Sequence, residues 1–582
     1  MNTVSASGPA PAWCLWKNPI LRRYFRTRLR PRGLGAALIL TLIVAGFIFT
    51  ISRIMGLKQM EYANARIAAN PDSRMFMLSM EDVERMCLLP LMAVQAFILF
   101  IVGTGQVAGG MTADADEGTM DYMRLSPMTP LAKVLGYLFG LPIREWIMFA
   151  STLPFTAWAI WRGGVSAEYW VPVYGVILVA AILYHLTGLT AGTVLRNRRW
   201  AFLLSMGTVF LLYTLVPQLA NLGLVYFEYL TIWPVLTENM HAFMPKAAGE
   251  AIRVANMFLP DDRFFNLGFP KVVFTVFSQL VLCVTYILML WRRWRRSESH
   301  LMGKAWATGL FIWGQIVLLG CSIPLIEHGL LFMTRRINMR FSLRRLSQEG
   351  WSPDLSEAML MVSIFGTVSL LALFLLGMLI APSRDDQARG ARRAVKLGRR
   401  GPSLIADEAP SLLFVTIMAL AGGAGWTIFA NQLIGSHWFP GQVLPAWTPV
   451  AFATVLLTAG LGAVLVYELW GIKGVFLSAV FIGVVPILVG TILAASASQL
   501  STASVWITGA SPLMAPSNAV ATVLPDGLGI HDPLRLAAPR AFLFWQVVMV
   551  FAVIWMFAKH RALHRARYRR GIAEGGEAMQ AA

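Results

Sequence analysis

Leu34-Gly-Ala-Ala-Leu-Ile-Leu-Thr-Leu-Ile-Val-Ala-Gly-Phe-Ile-Phe-Thr-Ile-Ser52 carries no charged residue. Just before it stand Arg22, Arg23, Arg26, Arg28 and Arg30. Roughly 17–25 mostly apolar residues cross a bilayer as a helix. A basic flank beside such a run marks its cytoplasmic edge. The same reading applied along the chain finds about 12 candidate spans. The first six run near 34–52, 86–109, 134–160, 170–194, 200–229 and 270–291. The second six run near 306–327, 357–381, 411–432, 448–469, 474–497 and 541–558. The predicted fold is an all-α polytopic membrane protein.

Composition excludes the main competitors. Of 582 residues, 57% are hydrophobic and 14% are charged, with a mean hydropathy of +0.62. Soluble domains carry about a quarter charged residues. The net charge of +19 invites a nucleic-acid reading. Its distribution argues against one, because Lys and Arg cluster in short flanks of apolar runs, where anionic lipids attract them. Cys14, Cys87, Cys283 and Cys321 are scattered without a CxxC pair, so neither a disulfide framework nor a zinc site is indicated. His560 and His564 share a helix face, but Lys559, Arg561, Arg565 and Arg567 around them repel cations. No metal site is expected there, and a basic helix on anionic lipid is the better reading. The polar, basic N-terminus leads into an apolar run long enough to remain as a first span, so no cleaved leader is expected.

With both termini inside, the inner segments hold about twice as many Lys and Arg as the outer ones. Arg335, Arg336, Arg340, Arg344 and Arg345 fall outside and resist that assignment. The two halves, 1–300 and 301–582, share a layout of loop lengths. Six plus six spans, each half opening inside, predict two parallel pseudo-repeats. The second half ends in a basic tail, 559–582.

The sharpest local signal is Asp114-Ala-Asp116-Glu117-Gly118-Thr119-Met120-Asp121-Tyr122-Met123-Arg124-Leu125-Ser126-Pro127-Met128-Thr129-Pro130, followed by Lys133 and Gly136. It parses as an acidic start, a Gly-Thr break, a short amphipathic helix and a Ser-Pro stop. Thr119 is the expected cap, and acids near a helix N-terminus are favoured by its dipole. Met120, Met123 and Leu125 form the expected apolar face. Ser126 precedes proline and so leaves the helical region. A helix of this kind suits docking to a soluble partner, or lies in the headgroups.

This segment, 111–130, resembles the coupling region of ABC-2 family permeases, the membrane subunits of many ABC exporters. Glu117, Gly118, Thr119, Asp121 and Pro127 match the family pattern directly. Met120, Met123, Met128 and Thr129 are conservative replacements, and Tyr137 after Gly136 departs from it. Asn18-Pro19-Ile20-Leu21-Arg22-Arg23-Tyr24-Phe25, with Arg26, looks like the family's interfacial elbow helix, placed here over 17–32. The resemblance covers residues 17–291; beyond 300 it rests on layout. It implies a permease subunit, an exporter by family habit, in a bacterial-type inner membrane. Asp116, Glu117, Gly118, Thr119, Asp121, Met123, Ser126 and Pro127 would then contact a separate ATP-binding subunit. No GxxxxGK[ST] occurs here, so ATP and Mg would sit on that partner, and the chain would be no enzyme and bind no cofactor. One chain would supply both membrane halves as a pseudo-dimer, or else pair as a homo- or heterodimer. The second inner segment, Arg384 to Pro410, lacks the Gly-Thr helix and the Ser-Pro stop.

Intramembrane charge is costly and marks function when real. Arg144 and Glu145 either face separate partners within the third span or sit at its inner edge. Adjacent helical side chains point about 100° apart, so no mutual pair is expected. His185 reads as a hydrogen-bonded packing residue and Glu468 as interfacial. A membrane-embedded enzyme acting on lipid or polyprenyl carriers would need a polar catalytic cluster, which the sequence lacks. A secondary transporter would need more ionisable residues at midspan.

Overall fold

The structure is a computed structural model of the chain. It describes residues 15–70, 77–195, 197–220, 222–257, 263–296, 298–327, 355–399, 401–436, 439, 443–496, 500–523 and 532–580. The five arginines at 335–345 and Phe258–Asp262 lie outside the described residues, as does Cys14. The fold is helical, and a two-strand hairpin at Arg263–Gly268 is the sole sheet among the described residues. Ten helical runs there are long and apolar enough to cross a membrane.

The chain separates into two compact units, with the main break between Ser297 and Glu298. The second unit also takes Leu219–Tyr226 and Arg263–Leu267. In the first unit the helices are α1 (Pro19–Arg28), α2 (Pro31–Ala69), α3 (Met80–Arg85), α4 (Leu88–Ala96), α5 (Thr104–Asp116), α6 (Thr119–Leu125) and α7 (Pro130–Gly140). They continue as α8 (Ile143–Arg162), α9 (Ala167–Val194), α10 (Arg198–Ala220), α11 (Trp233–Phe243), α12 (Lys246–Met257) and α13 (Lys271–Arg295). The expected elbow is shorter than 17–32. Asn18 caps α1, accepting from the Ile20 and Leu21 amides at 3.0 and 3.4 Å. Arg30 adopts extended geometry before Pro31, as a residue preceding proline must, and this separates α1 from α2.

α9 is the heart of this unit. Val176, Ile177, Ala180, Ala181 and Leu186 are all fully buried. It meets α5 backbone to backbone. A Cβ added at Gly188 would lie 2.7 Å from the Thr104 carbonyl, and one at Gly192 would lie 2.6 Å from that of Ala108. Small residues four apart allow this approach, which is how apolar helices gain packing where water supplies no drive. α2 does the opposite. Ile39, Leu40, Ile43 and Phe47 are each more than 60% exposed, an apolar stripe suited to lipid.

The predicted third span, 134–160, falls on two helices that break at Leu141–Pro142. Between α4 and α5 the run widens into a π-helical stretch, Phe97–Gly103.

The second unit holds α14 (Lys304–Glu327), α15 (Leu355–Ile380), α16 (Arg384–Lys396), α17 (Leu412–Ile434) and α18 (Thr448–Ser478). After another π-helical stretch come α19 (Val485–Ser496), α20 (Ser501–Thr508), α21 (Ala515–Val523) and α22 (Asp532–Gln580). Its core is aromatic. Trp426 stacks on Phe452 at 4.4 Å and Phe365 on Phe429 at 4.6 Å. The predicted spans 448–469 and 474–497 lie in one run, Thr448–Ser496, that turns at Gly471. There φ is 68° and ψ is −164°, a conformation open to glycine. Between α19 and α22 lie two short helices, α20 and α21, with a break between them.

Candidate functional site

The predicted docking helix forms as α6, but its start differs from expectation. Gly118 is the residue before the helix, with φ at 69°, and Thr119 is its first helical residue. No side chain caps it. The left-handed turn itself ends α5 and begins α6, a conformation that costs a side-chain-bearing residue about 1–2 kcal/mol. Asp121 alone supplies an acid in the first turn of α6. Asp116 and Glu117 belong to the end of α5, where the dipole does not favour a carboxylate, and both are exposed.

The stop is as predicted. Ser126 is extended ahead of Pro127, and its hydroxyl donates to the Met123 carbonyl at 2.9 Å. The expected apolar face divides. Met120 is buried and Met123 half-buried, whereas Leu125 is 85% exposed beside Tyr122 at 72%. Residues five apart cannot share one helix face, so Leu125 turns outward. Arg124 pairs with Asp121.

Two buried side chains hold this helix to the unit. The Lys133 ammonium, 3% exposed, donates to the carbonyls of Arg124 and Ser126 at 3.2 and 3.3 Å. It thereby satisfies orphan carbonyls at the helix end, where a cation also suits the dipole. The Trp294 ring lies 5.8 Å beneath it. One turn before Gly118, Asp114 accepts from Tyr24 at 2.6 Å, from Tyr137 at 3.0 Å and from both Arg23 amino groups at 3.2 Å. Burial first, then Tyr137 and Asp114, push the Tyr24 phenol far above its ordinary value, which keeps it a donor. The latch therefore joins α1, α5 and α7.

Glycines let α1 seat there. A Cβ at Gly136 would lie 2.8 Å from the Asn18 side-chain oxygen, and one at Gly140 2.7 Å from the Tyr24 ring. Asn18 also donates to the Ala132 carbonyl at 2.6 Å. Of the predicted elbow residues, Arg23 and Tyr24 reach the latch. Arg22 and Arg26 stay exposed, and Phe25 packs near Trp16.

Arg144 and Glu145 do pair, contrary to expectation, at 3.0 Å. The guanidinium chain is long enough to bend back across the helical offset. Glu145 is 1% exposed, so its charge is not a solvated interfacial one. His185 is the packing residue expected: 1% exposed, with Nε2 2.9 Å from the Leu99 carbonyl in the π-helical stretch. That carbonyl accepts, so Nε2 carries the hydrogen.

No family model, no curated protein and no solved structure matches this chain.

The second unit answers differently at the matching point of its layout. α16 was not anticipated. Ser383 and Asp386 form a reciprocal cap on it, and the Ser-x-x-Asp spacing was the signal for it. Glu468, expected at an interface, is 4% exposed and takes Arg567 at 3.1 Å. His560, expected on lipid, is 3% exposed with Nδ1 3.6 Å from the same carboxylate. Arg567 also donates to Gln387 at 2.6 Å, so the basic stretch of α22 clamps α16. No group of three or more His, Cys, Asp or Glu among the described residues is placed to hold a metal.

Two residues that build the first site, Asp114 and Lys133, drew no role from sequence. Asp114 finds its main partners 90 and 91 positions away, and no local pattern announces that.

Proposed function

We propose that this chain is the multi-pass membrane subunit of an ATP-driven transporter, an exporter resembling the ABC-2 permeases, whose ATP is hydrolysed by a separate subunit. The observation that carries the reading is α6. It presents Tyr122 and Leu125 outward, next to the exposed acids Asp116 and Glu117 at the end of α5, while Met120 is buried, Lys133 holds its last carbonyls and Asp114 ties the preceding turn to α1 and α7. A partner pressing on such a helix bears on α5 next to it, and through the Asp114 hydrogen bonds on α1. Exposed aromatic and aliphatic side chains on a rigid helix supply what a soluble partner's groove takes up. The reading places α6 and both termini on the cytoplasmic side of a bacterial-type inner membrane. α16 is clamped by its own unit, so one docking helix per chain is proposed.

The test is reconstitution of the full chain with its ATP-binding subunit in vesicles. Wild-type chain is expected to copurify with that subunit and to stimulate its ATP hydrolysis. The Tyr122→Ala/Leu125→Ala variant is expected to insert normally and to lose most of that stimulation. Unchanged stimulation in the variant would defeat the assignment.

A further inference from the structure

Where α1 passes into α2 there is a cavity of about 560 Å³ lined by Thr27, Arg28, Arg30, Arg32, Gly33 and Arg144, among others. Four of its lining residues are arginines and none is acidic. Glu145 pairs with Arg144 at its edge, and Arg28 donates to the Gln106 amide oxygen at 3.1 Å. Burial first, with Arg144 and Arg198 as like charges and Glu145 opposing them, pushes the Arg28 guanidinium below its ordinary range. Arginines lining one cavity favour an anion between them, and their planar forks match phosphate oxygens.

The neighbouring surface says what carries the phosphate. From Gly33 the α2 axis rises about 9 Å to Ile39. There begins the stripe of Ile39, Leu40, Ile43 and Phe47, each more than 60% exposed. Charge at one level and a bare aliphatic stripe directly beyond it is the pattern of a phospholipid, headgroup first and chains after.

We propose that the arginine cavity at the α1–α2 junction is a binding site for the phosphate of an anionic phospholipid whose acyl chains lie along α2. The site rests on the membrane placement proposed above and not on the ATP-driven reading. It gives α1 a lipid-set position. Because the Asp114 latch ties α1 to α5, a bound lipid also braces the base of α6.

The experiment uses the purified full chain in detergent, with bound lipid counted by native mass spectrometry. The probes are phosphatidylglycerol, phosphatidylcholine with the same chains, and sn-glycerol 3-phosphate. Wild type is expected to retain phosphatidylglycerol over phosphatidylcholine, and glycerol phosphate is expected not to displace it. Arg30→Gln/Arg32→Gln changes two exposed residues and leaves the Arg144–Glu145 pair intact. It is expected to weaken retention roughly ten- to thirtyfold, the loss anticipated for two arginines leaving an anionic headgroup. Arg561→Gln/Arg565→Gln, an equal loss of charge on exposed positions of α22, is expected to leave retention unchanged.

Equal loss in both variants would overturn the site in favour of general charge. Displacement by glycerol phosphate would overturn the lipid in favour of a free phosphate ligand. Absence of preference over phosphatidylcholine would overturn both. Membrane placement is checked separately. If alkaline carbonate strips the chain from membranes, that placement falls and the site with it; if the chain stays, the lipid result judges the site alone.

Discussion

α6 and α16 follow the second long apolar helix of their units, yet they are built on opposite plans. α6 has seven residues, begins at a bare left-handed glycine and turns Tyr122 and Leu125 to solvent. α16 has thirteen, begins with a full reciprocal cap and buries Gln387, Gly390, Ala391 and Ala394 against its unit. Ion pairs from Asp386 to Arg389 and from Arg393 to Glu408, and a contact of the Asp386 carboxylate with the His300 ring, close it further. A short helix pinned at its two ends, by Asp114 before its start and Lys133 at its finish, keeps an outer face free to present. One clamped along its length is structural. Two segments at corresponding places in a layout need not do the same work.

The strongest way to break the contrast is to release the base of α6. Asp114→Ala leaves Arg23 and two buried phenols without their acceptor and is expected to cost about 3 kcal/mol or more. Thermal unfolding in detergent checks it, and a change below about 1 kcal/mol would show that the latch is not what holds α6. Asp386→Ala, the nearest counterpart in α16, removes a cap, an ion pair with Arg389 and a contact with His300 from a better-braced helix. About 1–2 kcal/mol is expected, read in the same assay.

Asp386 also gives a pH expectation. Burial opposes its ionisation, but hydrogen bonds from His300, Ser383 and Arg389 outweigh it and hold the carboxyl well below its usual range. The folded value is thus depressed below the unfolded one near 4, and the stabilisation is complete above about pH 4 and lost as pH falls through the folded value. Protease cleavage of α16 measured from pH 7 down to pH 3 is expected to rise only at the acid end, and no such rise is expected in Asp386→Asn.

A smaller effect sharpens the other side. A Cβ at Gly118 meets open space, so Gly118→Ala costs only the left-handed backbone, about 1–2 kcal/mol. Gly118→Asn is expected to recover part of it, since asparagine tolerates that conformation. Gly390→Ala, by contrast, drives a methyl into Glu408 and is expected to loosen α16 with no backbone strain. The smallest expected change in stability is Tyr122→Ala/Leu125→Ala, within about 0.5 kcal/mol, because exposed side chains contribute little to folding. Its effect is expected at the partner instead.

Much of α6 was legible in sequence. Gly118 and the Ser126-Pro127 stop act through backbone geometry at their own positions, so a local reading places them within a residue or two. Thr119 misled because a threonine beside a glycine looks like a cap, and which of the two turns depends on where α5 finishes. The Arg144–Glu145 pair does not follow from helical offset, because it depends on the length of the arginine side chain. α16 is marked in the sequence by Ser383 and Asp386, although it lacks the features of α6.

The sequence by itself determined that the chain is helical and carries many segments long and apolar enough for a bilayer. Length, hydropathy and flanking charge are summed over neighbouring residues and need no knowledge of the fold. Only the tertiary structure decided which polar residues are sealed and which are offered. Asp114 meets Tyr24 from 90 positions away, and Glu468 meets Arg567 from 99. Such pairings form only where packed helices bring distant side chains within hydrogen-bonding reach, and no local stretch of residues records them.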